Sequence, residues 1–129
     1  MGIKYRLEYP ILHWIVEGDV DYQAGAEIVQ QSFIDAQRTG LLGWHILADL
    51  NESKENKSEQ ELRDIAYLVS THKGLLSGKL AIVVKTSLVF GTSRMFGVFM
   101  EDFGVEVNIF RCSVLEAERW LSGAENKSA

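Results

Sequence analysis

Several features common in other protein classes are scarce in this sequence. It has one cysteine, Cys112, so no disulfide can form within the chain, and one proline, Pro10. No apolar run approaches the roughly 20 residues of a membrane-spanning helix. Lys and Arg number 13 against 18 Asp and Glu, which gives a formal net charge of −5. These scarcities argue against a disulfide scaffold, an integral membrane protein and a nucleic-acid binder with a basic face, and they favour a cytoplasmic location.

What the sequence does have is enough apolar material for one folded domain. Hydrophobic residues make up 47% of the 129 residues, and the chain contains no repeat and no low-complexity linker. We assign residues 1–121 to this domain and residues 122–129, which are small and polar, to a frayed C-terminal tail.

Five segments have the hydrophobic pattern of β-strands. Ile3, Tyr5 and Leu7 alternate with charged residues, which predicts an edge strand with one solvated face, and residues 105–111 repeat that pattern near the other end of the chain. Three segments are apolar on both sides, as buried strands of a helix-covered sheet should be. They are residues 11–18, 44–50 and 79–85.

Four segments between and after these strands predict helices. The first covers residues 21–37. Ser58 and Glu61 begin the second with a capping box, in which the serine accepts from a backbone amide and the glutamate reaches back, and Ser113 with Glu116 repeats this pattern before the fourth.

The third helix is the most apolar of the four. Its residues Met95, Phe96, Phe99, Met100 and Phe103 fall on one face, and we expect it to end at Gly104. The full order is β-β-α-β-α-β-α-β-α. This order predicts an α/β fold with a single mixed, mostly parallel five-stranded sheet and four helices, in which the opening hairpin supplies the antiparallel edge.

Several local strings carry a resemblance to a known family. They are WIVEGDV, LADL with the polar loop after it, KLAIVV, SRMFGVFMED, GVEVNIFR and EAERWL. Over nearly the whole chain the sequence resembles the SpoIIAA-like, STAS-related bacterial proteins, whose fold is also compared with the CRAL-TRIO lipid-binding domain. The resemblance implies a SpoIIAA/STAS-like fold, a non-enzymatic regulatory or protein-interaction role, and a homodimer as a further expectation.

The resemblance also implies a site of modification. In the anti-sigma-factor antagonists, a serine beside the helix that follows the "DL" strand is phosphorylated by a partner kinase, and Ser53 or Ser58 is the counterpart by position. Here the aspartate–serine pair and glycine-containing helix start of those proteins are replaced by NESKENKSEQEL. The first hypothesis is therefore that the loop 49–58 and its helix are presented to a protein partner, a kinase or a regulatory protein. Its residues are Asp49, Asn51, Ser53 and Ser58.

A second hypothesis places a ligand at the carboxyl ends of the strands, under the third helix. In open α/β sheets ligands collect there, and amides at a helix start can hold an anion. The surplus of aromatic residues is also consistent with an internal cavity for a small apolar, lipid-like ligand, or with a dimer patch. The residues of this second site are Lys85, Thr86, Ser87, Thr92, Ser93 and Arg94.

Catalytic and metal chemistry find little support. Ser93 in FGTSRM has the context of a nucleophile elbow, but Met95 replaces the second glycine of that motif. His13, His45 and His72 all precede the serine, whereas the hydrolase order places the histidine after it, and they lie too far apart in sequence to suggest a metal site. We expect no enzymatic activity, no cofactor and no metal.

Overall fold

The computed structural model describes residues 2–54 and 57–123. The strands are β1 (Gly2–Glu8), β2 (Ile11–Gly18), β3 (Trp44–Ser53), β4 (Leu76–Val84) and β5 (Glu106–Arg111). The α-helices are α1 (Tyr22–Arg38), α2 (Glu59–Ser70), α3 (Ser87–Glu101) and α4 (Val114–Ser122), and a short 3-10 helix, Lys73–Leu75, precedes β4. This order confirms the predicted fold class.

The five strands form one sheet in the order β1-β2-β3-β4-β5. β1 pairs antiparallel with β2, and the other neighbouring pairs are parallel, so the two strands predicted to lie at the edges do so. Each parallel connection advances by one strand in the same direction. Because such crossovers are right-handed, α1, α2 and α3 all come to lie on one face of the sheet.

We call this side the three-helix face and the opposite side the α4 face. On the three-helix face, apolar side chains of α1, α2 and α3 pack with alternate strand residues such as Trp14, Ile46 and Ile82. On the α4 face, Ala117, Trp120 and Leu121 of α4 pack on a smaller set, Leu47, Ala81 and Val83. Adjacent residues of β3 and β4 therefore belong to different cores, as the two-residue period of a strand requires.

All three tryptophans are buried, as expected of core residues. The side chain of Trp14 carries a polar N–H group into the core, and this group has a hydrogen-bond partner. The indole Nε1 donates to the Ser32 hydroxyl over 2.9 Å, and that hydroxyl donates to the Val29 carbonyl over 2.6 Å. The Ser32 hydroxyl thus lets a large side chain lie between α1 and the sheet without an unpaired donor.

Several element boundaries differ from the predictions. β4 begins at Leu76 rather than residue 79, and β3 continues to Ser53 rather than ending at residue 50. α3 begins at Ser87 and ends at Glu101, before Gly104. Ser122 still belongs to α4, and Gly123, with φ of 80°, caps it in the left-handed conformation that glycine adopts readily. The rest of the predicted tail, residues 124–129, lies outside the described residues.

None of the helices within residues 2–54 and 57–123 combines the length and the apolar character that crossing a membrane requires.

Candidate functional site

The segment predicted to be a presented loop is mostly strand. β3 runs through Asn51 and Glu52 to Ser53, which pairs with Gly18 of β2, and the next amide, that of Lys54, donates to the Gly18 carbonyl over 3.0 Å. Ser53 is buried, with 4% of its surface exposed. The prediction that Ser53 lies in a solvated loop was therefore wrong. The apolar run ends at residue 50, but pairing with β2 extends β3 through the polar residues that follow, as far as Ser53.

Ser58 lies where the sequence predicted, at the start of α2. Its hydroxyl accepts from the Glu61 amide over 3.1 Å, and its own amide donates to the Glu61 carboxylate over 3.0 Å. Both halves of the predicted capping box are therefore present. At the fourth helix, the Ser113 hydroxyl accepts from the Glu116 amide over 3.1 Å, which is the half of the second box that the structure shows.

Asp49 lies on the α4 face, because it pairs in register with Val83, a residue of the core on that side. Asn51 lies where the pairing of β3 with β2 is irregular, between Asp49 opposite Ile15 and Glu52 opposite Glu17. The Asp49 carboxylate accepts from the Asn51 amide over 3.1 Å, and the buried Asn51 Oδ1 has no hydrogen-bond partner among the described residues. The predicted loop residues therefore do not share one surface.

The polar residues after β4 begin α3. The Thr86 hydroxyl caps the helix by accepting from the Val89 amide over 3.2 Å, and Lys85, Thr86 and Ser87 are exposed at the strand's carboxyl end. The helix thus starts at Ser87, and residues 91–94 lie inside it. The expectation that amides of Thr92, Ser93 and Arg94 lie at a helix start and can hold an anion was wrong, because the Thr86 cap begins the helix more than a turn earlier.

The side chains of residues 92–94 diverge. Ser93 is buried, Thr92 is half-buried and Arg94 is exposed. Ser93 sits in the second turn of α3, so it lacks the strand-to-helix corner of a nucleophile elbow. The histidines have partners elsewhere: His13 contacts the Glu8 carboxylate at 3.1 Å, His45 contacts the Ser77 hydroxyl at 2.6 Å, and His72 contacts the Gln30 side-chain oxygen at 3.2 Å.

Thr92 and Ser93 instead line a cavity of about 140 Å³ between the sheet and the three helices. It lies toward the carboxyl ends of β2, β3 and β4 and under α3, which is the place that the second hypothesis gave to an apolar ligand. Its walls are mainly apolar side chains, among them Val16, Val29, Leu50, Ile65, Ile82 and Phe96.

Small residues leave this space open. Gly25 and Ala26 of α1 and Ala48 of β3 all line the cavity, at positions where a larger side chain would occupy it. Sequence reasoning missed these residues, since a small residue inside a helix or strand is usually matched by a larger one opposite. The available signal was that three small residues, on two elements, face the same core.

One charged side chain, Lys57, also lines the cavity. Its ammonium donates to the Val20 carbonyl over 2.6 Å, in the segment between β2 and α1. The aliphatic part of the lysine can therefore cover apolar surface while its charge is held on the backbone, as long basic side chains commonly do.

A second, larger space of about 610 Å³ is the groove between α1 and α2 on the surface. Tyr22, Ala26 and Leu68 line both the groove and the cavity, so the two spaces adjoin. The pKa of Tyr22 is raised by burial, and further by the negative charges of Asp64 and Glu61.

The α4 face contains a buried titratable group. His13 is 3% exposed, and its burial lowers the pKa of the imidazole. Arg6 lowers this pKa further, whereas the carboxylates of Glu8, Glu118 and Asp49 oppose the shift. The pKa values of His45 and His72 are also lowered, in both cases mainly by burial.

The outer face of α3 is more apolar than predicted. Met95 was expected on the buried arc but is 41% exposed, and Leu88 and Val98, at 61% and 58%, lie along the same outward side. The buried arc is centred instead on Val89, Ser93, Phe96 and Met100. The predicted arc of Met95, Phe96, Phe99, Met100 and Phe103 was therefore rotated from the observed one, because it was placed from large apolar residues and left out the buried Ser93.

Comparison with solved structures identifies the fold. The chain is similar to the crystal structure of an uncharacterised protein of the DUF3478 family from Shewanella loihica, described as having a SpoIIAA-like fold, with a TM-score of 0.60 and 18% identity over 92% of this chain and 91% of the other. No protein-family model and no curated protein matches the sequence. At this level of identity the likeness shows the fold alone, and it confirms the expected SpoIIAA-like fold.

Proposed function

We propose, on the premise that this chain has a SpoIIAA-like fold, that it is a non-enzymatic binding module whose cavity takes up a small apolar group. The observation that carries the proposal is the cavity itself, an apolar space of about 140 Å³ beneath α3 at the carboxyl ends of the strands. Of the two hypotheses from the sequence, ligand binding has the stronger support, because Ser53 is buried and Ser58 is engaged in a capping box.

The volume suits a ligand of about six carbon atoms. An engineered apolar cavity of about 150 Å³ stays dry and binds benzene, and this cavity is of similar size and similarly lined. A ligand that enters gains roughly 0.8 kcal/mol for each methylene removed from water.

The stability given up by leaving this space unfilled also supports the proposal. In large-to-small substitutions, the loss of stability grows by about 24 cal/mol for each Å³ of cavity left behind. An unfilled apolar space beneath α3 therefore costs stability that closer packing would recover. Substituting Ala26 or Ala48 with a larger apolar residue would recover part of it, and a ligand would recover it without any change in sequence.

A matched pair of substitutions on α1 tests the proposal. Ala26 lines the cavity, whereas Ala24, two residues earlier, is exposed. We expect benzene or 1-octanol to shift the NMR signals of cavity residues and to raise the melting temperature of the wild type and of Ala24→Leu, because a ligand that binds only the folded state stabilises it. Ala26→Leu should abolish both effects, since its side chain occupies the space.

Two results would contradict this proposal. One is the absence of binding by any small apolar molecule to the wild type, and the other is binding that Ala26→Leu leaves unchanged. Native mass spectrometry of protein purified from its host supplies the complementary measurement, and we expect a co-purified small apolar or amphipathic molecule.

Presentation of a surface to a protein partner is the second candidate. It is favoured by the exposure of Ser58 together with the outward apolar side chains Leu88, Met95 and Val98 of α3. A phosphate at Ser58 would lie on the positive end of α2, but it would displace the capping bonds and lie beside Glu59 and Glu61. Intact-mass analysis of the protein from its host tests this: an added phosphate on Ser58 supports a switch, and its absence under all growth conditions contradicts one.

A further inference from the structure

We infer that the ligand is an amphiphile with a positively charged head, an alkylammonium, whose tail fills the cavity and whose head lies in the groove between α1 and α2. The inference rests on the proposed function and specifies the class of ligand. It follows from three properties of the groove: its position beside the cavity, its charge and its aromatic side chains.

The groove adjoins the cavity, because three residues border both spaces. Tyr22, Ala26 and Leu68 line the cavity on one side and the groove of about 610 Å³ on the other. A chain of about six carbons fills the cavity, so a slightly longer chain that passes these residues brings its head into the groove. At the other end of the groove, Gln30 contacts His72 at 3.2 Å, and the His72 ring stacks on Phe33 with 4.4 Å between centroids.

The charge of the groove is negative. Among the described residues that line it, Glu27 and Asp64 carry carboxylates, and Lys and Arg are absent. The basic residues within α1 and α2 are engaged elsewhere: Arg38 contacts Asp35 at 3.7 Å, and Arg63 contacts Glu59 at 3.1 Å. The Arg63 guanidinium also lies 4.2 Å from the centre of the Phe99 ring on α3, away from α1.

Burial lowers the pKa of the His72 imidazole, so this ring carries less positive charge than an ordinary histidine. An anionic head such as a carboxylate or a phosphate would face the Glu27 and Asp64 carboxylates in the groove, where the described lining residues include no Lys or Arg. The Lys57 ammonium, which belongs to the adjoining cavity, lies on the Val20 carbonyl. An ammonium head would instead be attracted by the same two carboxylates.

Aromatic side chains add a second reason for a cationic head. Tyr22 and Tyr67 both line the groove, and Tyr67 is 64% exposed, which leaves ring surface accessible to a ligand. Ring faces attract ammonium groups, and proteins recognise quaternary ammonium ligands with aromatic side chains.

Three octyl compounds with different heads test the inference. Octylammonium, 1-octanol and octanoate share one tail, so differences in their dissociation constants, measured by NMR titration at pH 7.5 and low salt, report the head alone. We expect octylammonium to bind about tenfold more tightly than octanoate, with 1-octanol between them. The double variant Glu27→Gln/Asp64→Asn should reduce the difference to about twofold or less.

A matched control removes the same number of charges elsewhere. Glu101→Gln/Glu118→Gln changes carboxylates on α3 and α4 and should leave the preference for octylammonium as in the wild type. Tyr67→Leu should weaken the binding of octylammonium by about threefold and leave the binding of 1-octanol unchanged.

The outcomes separate the inference from the proposed function. If 1-octanol binds in the cavity but octylammonium shows no advantage over octanoate, or if the control removes the advantage as fully as Glu27→Gln/Asp64→Asn does, the inference is overturned and the proposed function stands. If none of the three compounds binds, the proposed function fails and the inference fails with it.

Discussion

The two faces of the sheet are packed differently although they share the same strands. On the α4 face, one short helix sets Trp120 and Leu121 against Ala81 and Val83, and none of the residues of this small core lines the cavity or the groove. On the three-helix face, three longer helices cover more of the sheet but leave a cavity where Gly25, Ala26 and Ala48 meet. The contrast suggests that the α4 face serves stability, whereas the three-helix face gives up some stability for a binding site.

The largest effect should come from truncating the same residue type on each face. Leu121 on the α4 face and Leu62 beside the cavity are both buried, at 2% and 5% exposure. We expect Leu121→Ala to lower the free energy of unfolding by about 3–5 kcal/mol. Leu62→Ala should cost about 1–2 kcal/mol less, because part of Leu62 already borders empty space and has fewer contacts to lose.

Urea denaturation with matched m-values measures both variants of this pair. Equal decreases in the free energy of unfolding would indicate that the two cores are equally well filled. That result would remove the energetic argument for the cavity.

Enlarging a buried alanine should change the stability in opposite directions on the two faces. Ala81 on the α4 face and Ala48 on the three-helix face occupy neighbouring strands, and only Ala48 lines the cavity. Ala81→Val should destabilise by about 1–3 kcal/mol through overpacking, whereas Ala48→Val should stabilise by about 1 kcal/mol as its methyl groups enter the cavity. Thermal and chemical denaturation of the two variants decide the matter, and a loss of stability in both would show that the cavity cannot accept added atoms.

Acidification should reduce stability. Burial holds the pKa values of His13, His45 and His72 below the ordinary value of 6.5, so the unfolded chain binds protons at a higher pH than the folded one. The stabilising contribution is fully present above about pH 6.5. It is lost as the pH falls from there toward the folded-state pKa values.

Comparing one histidine from each face sharpens this pH prediction. His13 on the α4 face is buried, and His72 at the three-helix face is half-buried. His13→Gln should therefore weaken the pH dependence between about pH 7 and 5 more than His72→Gln does. Urea unfolding across this range measures the slopes, and a greater effect of His72→Gln would contradict the assignment of the larger desolvation to His13.

The smallest effect should be at the cap of α2. Ser58→Ala removes one half of the capping box and should cost about 1 kcal/mol. Ser58→Asp keeps an acceptor for the Glu61 amide and should cost less, so the pair separates the cap from any effect of charge. A cost near zero for Ser58→Ala would show that the helix start does not depend on the box and would leave Ser58 available for another role.

Local features of this chain could be determined from the sequence because they depend on neighbouring residues. The alternation of Ile3, Tyr5 and Leu7 predicts a solvated edge strand, and Ser58 with Glu61 predicts a helix start, since both patterns involve contacts within a few residues. The order of the elements, the strands at the two edges and the fold class followed from such signals.

Only the tertiary structure decided where the chain has its binding space and which serine is accessible. Ser53 is buried because β2 pairs with the end of β3, and residues 17–18 and 52–53 are far apart in sequence. The cavity exists because the strand order places α1, α2 and α3 on one face, where small residues of α1 and β3 meet without a larger side chain between them. Packing of this kind depends on shapes brought together from distant segments, and a hydrophobic pattern records which residues face inward but not how well they fill the space.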